Sequence, residues 1–424
     1  MATNAANRPT TSASLTTAQL KAWRNAIFVV FALSGIAIAT WVSRLPAVRD
    51  VLEVSPAQVG VLIFGMAAGS IIGLVASSHI VARIGATRSF TFGTALIAIG
   101  LVIVGLGATL TSFPVTFGGL LVFGLAAGLT DVAMNVSGAA DERALGRAIM
   151  PIFHACFSFG TMIGAGLGAL AEAAGIPIAA HLAIIAALMI GAVLVASRYA
   201  QSEHIIEPED EAPVDDKSHT WRGRLSIWRD PRTLLIGVLV LGAAFTEGSA
   251  NDWVAIASVD GHGVENETGA LIFGIFVTAM TAGRLGGVFL LNRFGRVPVL
   301  RGSFLLAAIG LLLFIFVPGP VGAIAGVTLW GLGSALGFPI GMSAAADDPR
   351  TAAARVSAVA TIGYFAFLVG PPVIGFVGEY TGVLHALLIT LVLATTGALV
   401  SGAAREPGRA GTPRRVDTFD GPIS

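Results

Sequence analysis

Charge is what this chain has least of: Asp, Glu, Lys and Arg together supply 12% of its 424 residues, about half the usual globular share. With 55% of the residues hydrophobic, too little polarity remains to cover a soluble monomer. Cysteine is reduced to Cys156, which excludes an internal disulfide and any cysteine-rich metal centre. Basic and acidic residues balance at 25 each, and scattered arginines form no basic stripe for nucleic acid. No Gly-Lys-Ser/Thr nucleotide loop occurs, which sets aside ATP-driven pumping by this chain. No His/Glu cluster offers a metal site either, so neither metal nor cofactor is expected. Glycine, in contrast, is abundant at 53 residues without a collagen period, as in closely packed membrane helices. The composition is that of an integral membrane protein.

A helix needs roughly 20 apolar residues to cross the hydrocarbon core. Nearly uncharged stretches of that length predict spans at 26–44, 57–78, 90–110, 114–138, 151–172 and 178–197, then at 233–256, 268–290, 300–318, 320–344, 356–378 and 382–403. The runs 89–130 and 302–346 are too long for one helix, and each is cut by a proline break, at Ser112-Phe113-Pro114 and at Pro318-Gly319-Pro320. Twelve spans result. With the N-terminus inside, the internal loops and tails, counting Arg301 at the inner edge of the ninth span, collect every one of the 25 Lys and Arg except Arg44, Arg49 and Arg284. The positive-inside bias therefore places both termini in the cytoplasm, with the chain in the plasma membrane.

The expected organisation is a disordered N-terminus (1–20), a six-helix bundle (21–200), a cytoplasmic linker (201–231), a second six-helix bundle (232–403) and a disordered tail (404–424). The first apolar run is too long for a cleavable signal. In the linker, Trp221, Leu225 and Trp228 fall on one helical face, the pattern of a short interfacial helix on the inner leaflet; a solvated linker accounts for it equally. The halves resemble each other. A shift of 210 residues aligns Gly73 with Gly283, Arg83 with Arg293, Gly85 with Gly295, and Ala98-Ile99-Gly100-Leu101 with Ala308-Ile309-Gly310-Leu311.

Twelve spans as six plus six, with a basic loop after spans two and eight, resemble the major facilitator superfamily. Its loop signature runs approximately Gly, three residues, Asp-Arg, any, Gly, any, Arg/Lys. The chain has Ala82-Arg83-Ile84-Gly85-Ala86-Thr87-Arg88 and Asn292-Arg293-Phe294-Gly295-Arg296. Arg and Gly are kept, but Ala82 and Asn292 replace the signature Asp, so that residue's latching role does not carry over. Trp41-Val42-Ser43-Arg44-Leu45-Pro46, Asp131 with Asn135, Phe153-His154, Glu247-Gly248 with Asp252-Trp253, and Gly370-Pro371-Pro372 resemble the sugar-porter-like branch that includes fucose permeases. The resemblance covers roughly residues 22–403. It implies an all-α fold of twelve transmembrane helices in two pseudo-symmetric six-helix bundles.

Ionisable residues inside the bilayer cost about 2.5–3.5 kcal/mol each on insertion scales, so each needs a reason. Asp131 and Asn135 lie one turn apart on one face of the fourth span. Counting back from the loop, Asp131 falls on the order of 10 Å inside the inner boundary. A carboxylate withdrawn from water there is a candidate proton carrier, with His154 and Ser158 at matching depths on the fifth span. His154 would share the proton or bond to Asn135; a purely structural clamp between two helices is the other reading. Glu247 falls at mid-membrane in the seventh span, with Asn251 one turn further on the same face and Asp252 nearer the outer end. Arg284 in the eighth span needs a partner, with Asp131 or a loop carbonyl as candidates, or reaches the inner headgroups. Trp41 and Arg44 fit either an outer interfacial belt or a substrate-facing position.

The proton-coupling set is thus Asp131, Glu247 and His154. The cavity set is Trp41, Asn135, Ser158, Asn251 and Tyr364, and the gating or interhelical charges are Arg44, Arg83, Asp252, Arg284 and Arg293. Glycines recur every fourth residue at Gly65, Gly69 and Gly73, at Gly160, Gly164 and Gly168, and at Gly333, Gly337 and Gly341, which lets backbones approach closely. The Gly-Pro that the antiporter signature places in the fifth span of drug exporters is absent, Gly164 being followed by Ala165. Ser158 and His154 could be read as a hydrolytic dyad, but no oxyanion-hole motif accompanies them, so no enzyme is expected. The resemblance implies a monomeric secondary transporter working by alternating access in the bilayer, taking up a small sugar- or polyol-like solute by proton symport. Proton-driven efflux of a drug or metabolite, and a non-transporting sensor on the same scaffold, are the alternatives.

Overall fold

The computed structural model describes residues 15–146, 149–201, 227–348 and 351–406. Among them every regular element is helical. The first half comprises α1 (Thr17–Leu52), α2 (Pro56–Ile84), α3 (Ala86–Thr109), α4 (Phe113–Leu145), α5 (Met150–Ala173) and α6 (Ile178–Ser197). The second comprises α7 (Pro231–His262), α8 (Asn266–Phe294), α9 (Arg296–Phe316), α10 (Gly319–Ser334), α11 (Gly337–Ala345), α12 (Ala352–Thr381), α13 (Val383–Ala386) and α14 (Leu388–Val400), closed by a 3₁₀ turn at Ser401–Ala404. Twelve segments among these are long and apolar enough to span a bilayer. An even number of crossings returns Thr17 and Ala404 to one face, called here the terminal face.

Several boundaries differ from expectation, four of them in ways that bear on the site or the ends of the fold. Residues 17–20 are helical, not disordered, because Thr16 caps α1: its hydroxyl accepts from the Gln19 amide and its amide donates to Gln19 Oε1 at 2.9 Å, a capping box. The tenth span is two helices, parted at Ala335-Leu336, and the twelfth is parted at Leu387. Finally, α4 runs on to Leu145, seven residues past the 138 expected, so Asp131 stands 14 residues (145 − 131), about 21 Å, from its end. The interfacial-helix expectation for residues 221–229 falls mainly outside the described residues.

The repeat has a physical basis at its turns. Gly85 (φ 83°) and Gly295 (φ 77°) are one-residue joints between α2 and α3 and between α8 and α9, a left-handed backbone that favours glycine. Close approach explains the spaced glycines. A Cβ at Gly73 would fall on the Leu125 carbonyl of α4, and one at Gly160 on the Ala32 carbonyl of α1. These contacts bind α2 to α4 and α1 to α5 within the first half. Indoles brace both halves from inside: Trp23 Nε1 donates to Ser137 Oγ and Trp330 Nε1 to the Thr246 carbonyl, each at 3.0 Å.

The halves meet through α2 with α12, α5 with α8, and α1 with α7 and α8. Among the described residues, the side-chain bonds between them lie on the face opposite the termini. Arg49 pairs with Asp260, Asn266 Nδ2 donates to Asp50 Oδ2 at 2.9 Å, and the Ala57 amide donates to Glu379 Oε2 at 3.2 Å. On the terminal face the polar bonds among described residues stay within one half. Arg232 and Arg296 share Asp347 at 2.8 and 2.6 Å, Arg355 meets Asp230 at 3.2 Å, and Glu142 accepts from the Ile149 and Met150 amides. Among the described residues, the polar bonds that join the halves are therefore confined to the far face.

Candidate functional site

Between the halves lies a cavity of about 200 Å³, lined by residues of α1 to α5 and, from the second half, by Tyr364 of α12. Asp131 is its one charged lining residue among those described. It stands just past the middle of the 33-residue α4 and faces solvent through the cavity. Its neighbour Asn135 donates Nδ2 to the Asp131 carbonyl at 2.8 Å and to Oδ1 at 3.3 Å. No Lys, Arg or His lies within ion-pair distance of Asp131 among the described residues. Ser34 and Ser70 add hydroxyls, Phe123 and Phe157 add rings, and most of the remaining wall is aliphatic. Tyr364, 42% exposed, faces Asp131 from the opposite half.

Glu247 stands half-way along the 32-residue α7 and is held differently. Arg284 Nη2 of α8 meets Glu247 Oε1 at 2.8 Å, with side chains 34% and 19% exposed. The partner of Arg284 is thus Glu247, neither Asp131 nor a loop carbonyl. The pair keeps both charges at mid-depth without an uncompensated ion. His154 of α5 lies within electrostatic range of Arg284, and its ring lies edge-on to Phe31 at 5.2 Å. It makes no hydrogen bond with Asp131 or Asn135, so the matched-depth pairing expected between α4 and α5 is not formed. The reason is packing: α5 lies against α1 and α8 and barely touches α4.

Other expected site residues fall elsewhere. Trp41 is 1% and Arg44 3% exposed, packed inside the first half, and neither is among the residues that line the cavity. Arg44 bridges α1 to Glu172 of α5 at 2.7 Å and donates to the Ile176 carbonyl at 2.8 Å, which removes the need for headgroup contact. Ser158 is buried and bonds its own helix at the His154 carbonyl. Asn251 and Asp252 are half-buried and make no side-chain hydrogen bond or ion pair among the described residues. Arg83 and Arg293 are exposed at the terminal ends of α2 and α8; neither makes an ion pair among the described residues, and in the second loop Arg296 takes that part with Asp347.

The far-face contacts were not among the expected site residues, although the repeat carried their signal. The 210-residue shift that aligns the halves places Asp50 on Asp260 (50 + 210), the two acids that engage Asn266 and Arg49 across the far face. Glu172 and Asp347, which anchor Arg44, Arg232 and Arg296, gave no signal beyond being acids at span ends.

The sequence profile of the Major Facilitator Superfamily matches residues 27–371. The chain belongs to that superfamily. An uncharacterized MFS-type transporter of Yersinia pestis is 30% identical over 380 residues, 89% of this chain and 94% of its own. Among solved structures, the nucleoside transporter NupG superposes with a TM-score of 0.72 at 18% identity, covering 90% of this chain and 99% of its own. The E. coli fucose:proton symporter FucP superposes with a TM-score of 0.60 at 17% identity, covering 90% and 98%. This superfamily member is therefore an integral membrane transporter, not an enzyme.

Proposed function

We propose that the protein is a proton-coupled secondary carrier of a small polar solute, working by alternating access, with Asp131 as the group that takes up and releases the proton. The observation that carries this reading is the Asp131 carboxylate, facing the cavity between the halves with no basic partner among the described residues. A carboxylate so placed must be neutralised by a proton or a ligand before the cavity can close over it, since a lone buried charge is expensive. Glu247 does not share the part expected of it: Arg284 already compensates its charge, and the pair acts as a fixed strut between α7 and α8. Cavity volume supports a small solute, about 200 Å³ lying below the roughly 300–1,000 Å³ of sites for drug-sized ligands. The sugar- or polyol-like class comes from the branch resemblance, and the likeness in fold to a fucose:proton symporter is in keeping with it.

The excess of Arg and Lys on the terminal face makes that face cytoplasmic in this reading, so the state described, with the polar bonds between its halves confined to the far face, is open inward in the plasma membrane. The far-face contacts of Arg49, Asp50 and Glu379 then form the outer gate. Direction follows from occupancy. Symport, and hence uptake, results where proton and solute occupy the cavity together; exchange, and hence efflux, results where they occupy it in turn.

The test is transport into proteoliposomes under an imposed pH gradient, with fucose, uridine and inositol as labelled solutes. With labelled choline added to that set, at least one solute should move only with the gradient, and Asp131→Asn should abolish that movement. Movement by Asp131→Asn equal to wild type would remove Asp131 from coupling.

A further inference from the structure

The cavity that the proposed function uses has a wall too apolar for a solute with a hydroxyl on every carbon. Ser34 spends its donor on the Val30 carbonyl at 3.0 Å, which leaves the Ser70 and Tyr364 hydroxyls and the Asp131 carboxylate to answer a solute, while Ile38, Leu74, Ile97 and Met134 offer no polar atom able to answer a hydroxyl well. A polyol would leave several hydroxyls unpaired there, which costs more than leaving them in water. What the wall does offer is one uncompensated negative charge and aromatic rings, the combination that recognises a cation with an apolar body. No Lys, Arg or His among the described residues lines it to supply the missing positive charge from within.

We propose that the solute is a small organic cation, its positive charge resting on Asp131 and its apolar body lying against Phe157 and Tyr364. This rests on the carrier reading for its consequence, not for its chemistry. Proton and cation compete for one carboxylate, so they occupy the cavity in turn, and coupling takes the form of exchange. Lowering the pH therefore weakens cation binding. Tyr364 is the only other titratable group on the cavity wall among the described residues; the side chains facing Asp131 from α1, α2, α3 and α5 are Ser34, Ser70, Ile97 and Phe157, none of which titrates.

The experiment uses the full chain in detergent micelles with choline and its uncharged carbon isostere, dimethylbutanol. Calorimetry should show choline bound at least about tenfold more tightly than the isostere, with the preference lost in Asp131→Asn and kept in Asp131→Glu. Tyr364→Ala should weaken choline several-fold more than the isostere. Equal affinity for the two probes, no binding of choline, or a preference that survives Asp131→Asn each overturns the proposal. A second arm separates this from the carrier reading. If fucose or uridine moves with protons in proteoliposomes while choline does not bind, the cation is wrong and the carrier stands. If choline binds as expected and no solute moves in response to a pH gradient, the cation site stands and the carrier is wrong.

Discussion

Asp131 of the first half and Glu247 of the second stand near the middle of α4 and α7, yet only Glu247 has a cation at 2.8 Å. The first half is glycine-packed, α2 against α4 and α1 against α5; its one ion pair between these helices, Arg44 with Glu172, leaves Asp131 without a cation among the described residues. That carboxylate looks into the cavity. In the second half, α7 and α8 leave room for an arginine, and the acid is tied down. Depth along the helix does not by itself decide how a carboxylate is held: Asp131 and, nearer the far end of α7, Asp252 have no cation among the described residues, whereas Glu247 is paired with Arg284.

Breaking the comparison at its free end should give the largest effect. Asp131→Asn should reduce gradient-driven accumulation in proteoliposomes to the level of empty vesicles, while the purified protein unfolds near the wild-type temperature. Breaking it at the paired end should do the reverse. Arg284→Leu leaves Glu247 alone at mid-depth; the roughly 3–5 kcal/mol typical of breaking a buried pair is reduced to about 2 kcal/mol by the partial exposure of both side chains. A thermal or denaturant melt checks this, and the double change Glu247→Leu with Arg284→Leu should recover most of the loss.

Smaller effects separate the two faces. Arg49→Ala removes a contact that joins the halves, though Asp260 is 36% exposed, so about 0.2–1 kcal/mol is at stake. That suffices to shift the populations of open and closed far faces by up to about fivefold. Spin labels at positions 53 and 263, with Cys156 replaced, should report the widening. Asp230→Ala lies wholly within the second half and should lower stability by about 1 kcal/mol through the lost cap of α7, without changing coupling. The Thr233 hydroxyl and amide, with Arg355 nearby, hold the Asp230 carboxyl below its ordinary range. Its contribution is therefore complete above about pH 4 and fades as the pH falls further through the folded value.

The fold is legible in the sequence because span length, proline breaks and basic-residue bias are properties of single segments. The repeat is legible too, since Gly85 and Gly295 are fixed by backbone geometry and not by neighbours. Site geometry is not, because helix rotation and partner choice arise only on packing. Spacing placed Asp131 and Asn135 on one face, and they bond as neighbours. Spacing also set His154 opposite them, but α5 packs away from α4, and the histidine lies within electrostatic range of Arg284 instead. Trp41 and Arg44 look interfacial from hydropathy alone; a single acid, Glu172, draws the arginine inside, and the indole beside it is buried too. The polar contacts that join the halves are made by residues at span ends, and a hydropathy reading sets such residues aside as loop.

Infrared titration of the carboxyl C=O stretch is the most direct measurement, because it needs no knowledge of the solute. Over the pH range in which a gradient drives transport, the purified wild-type chain should develop a protonated-carboxyl band. Asp131→Asn should lose the Asp131 share of that band, with Asp252→Asn as the control for the other carboxylate that has no partner among the described residues, and the Glu247→Leu, Arg284→Leu double variant should keep it. A band unchanged by Asp131→Asn would contradict the assignment of the coupling proton to Asp131.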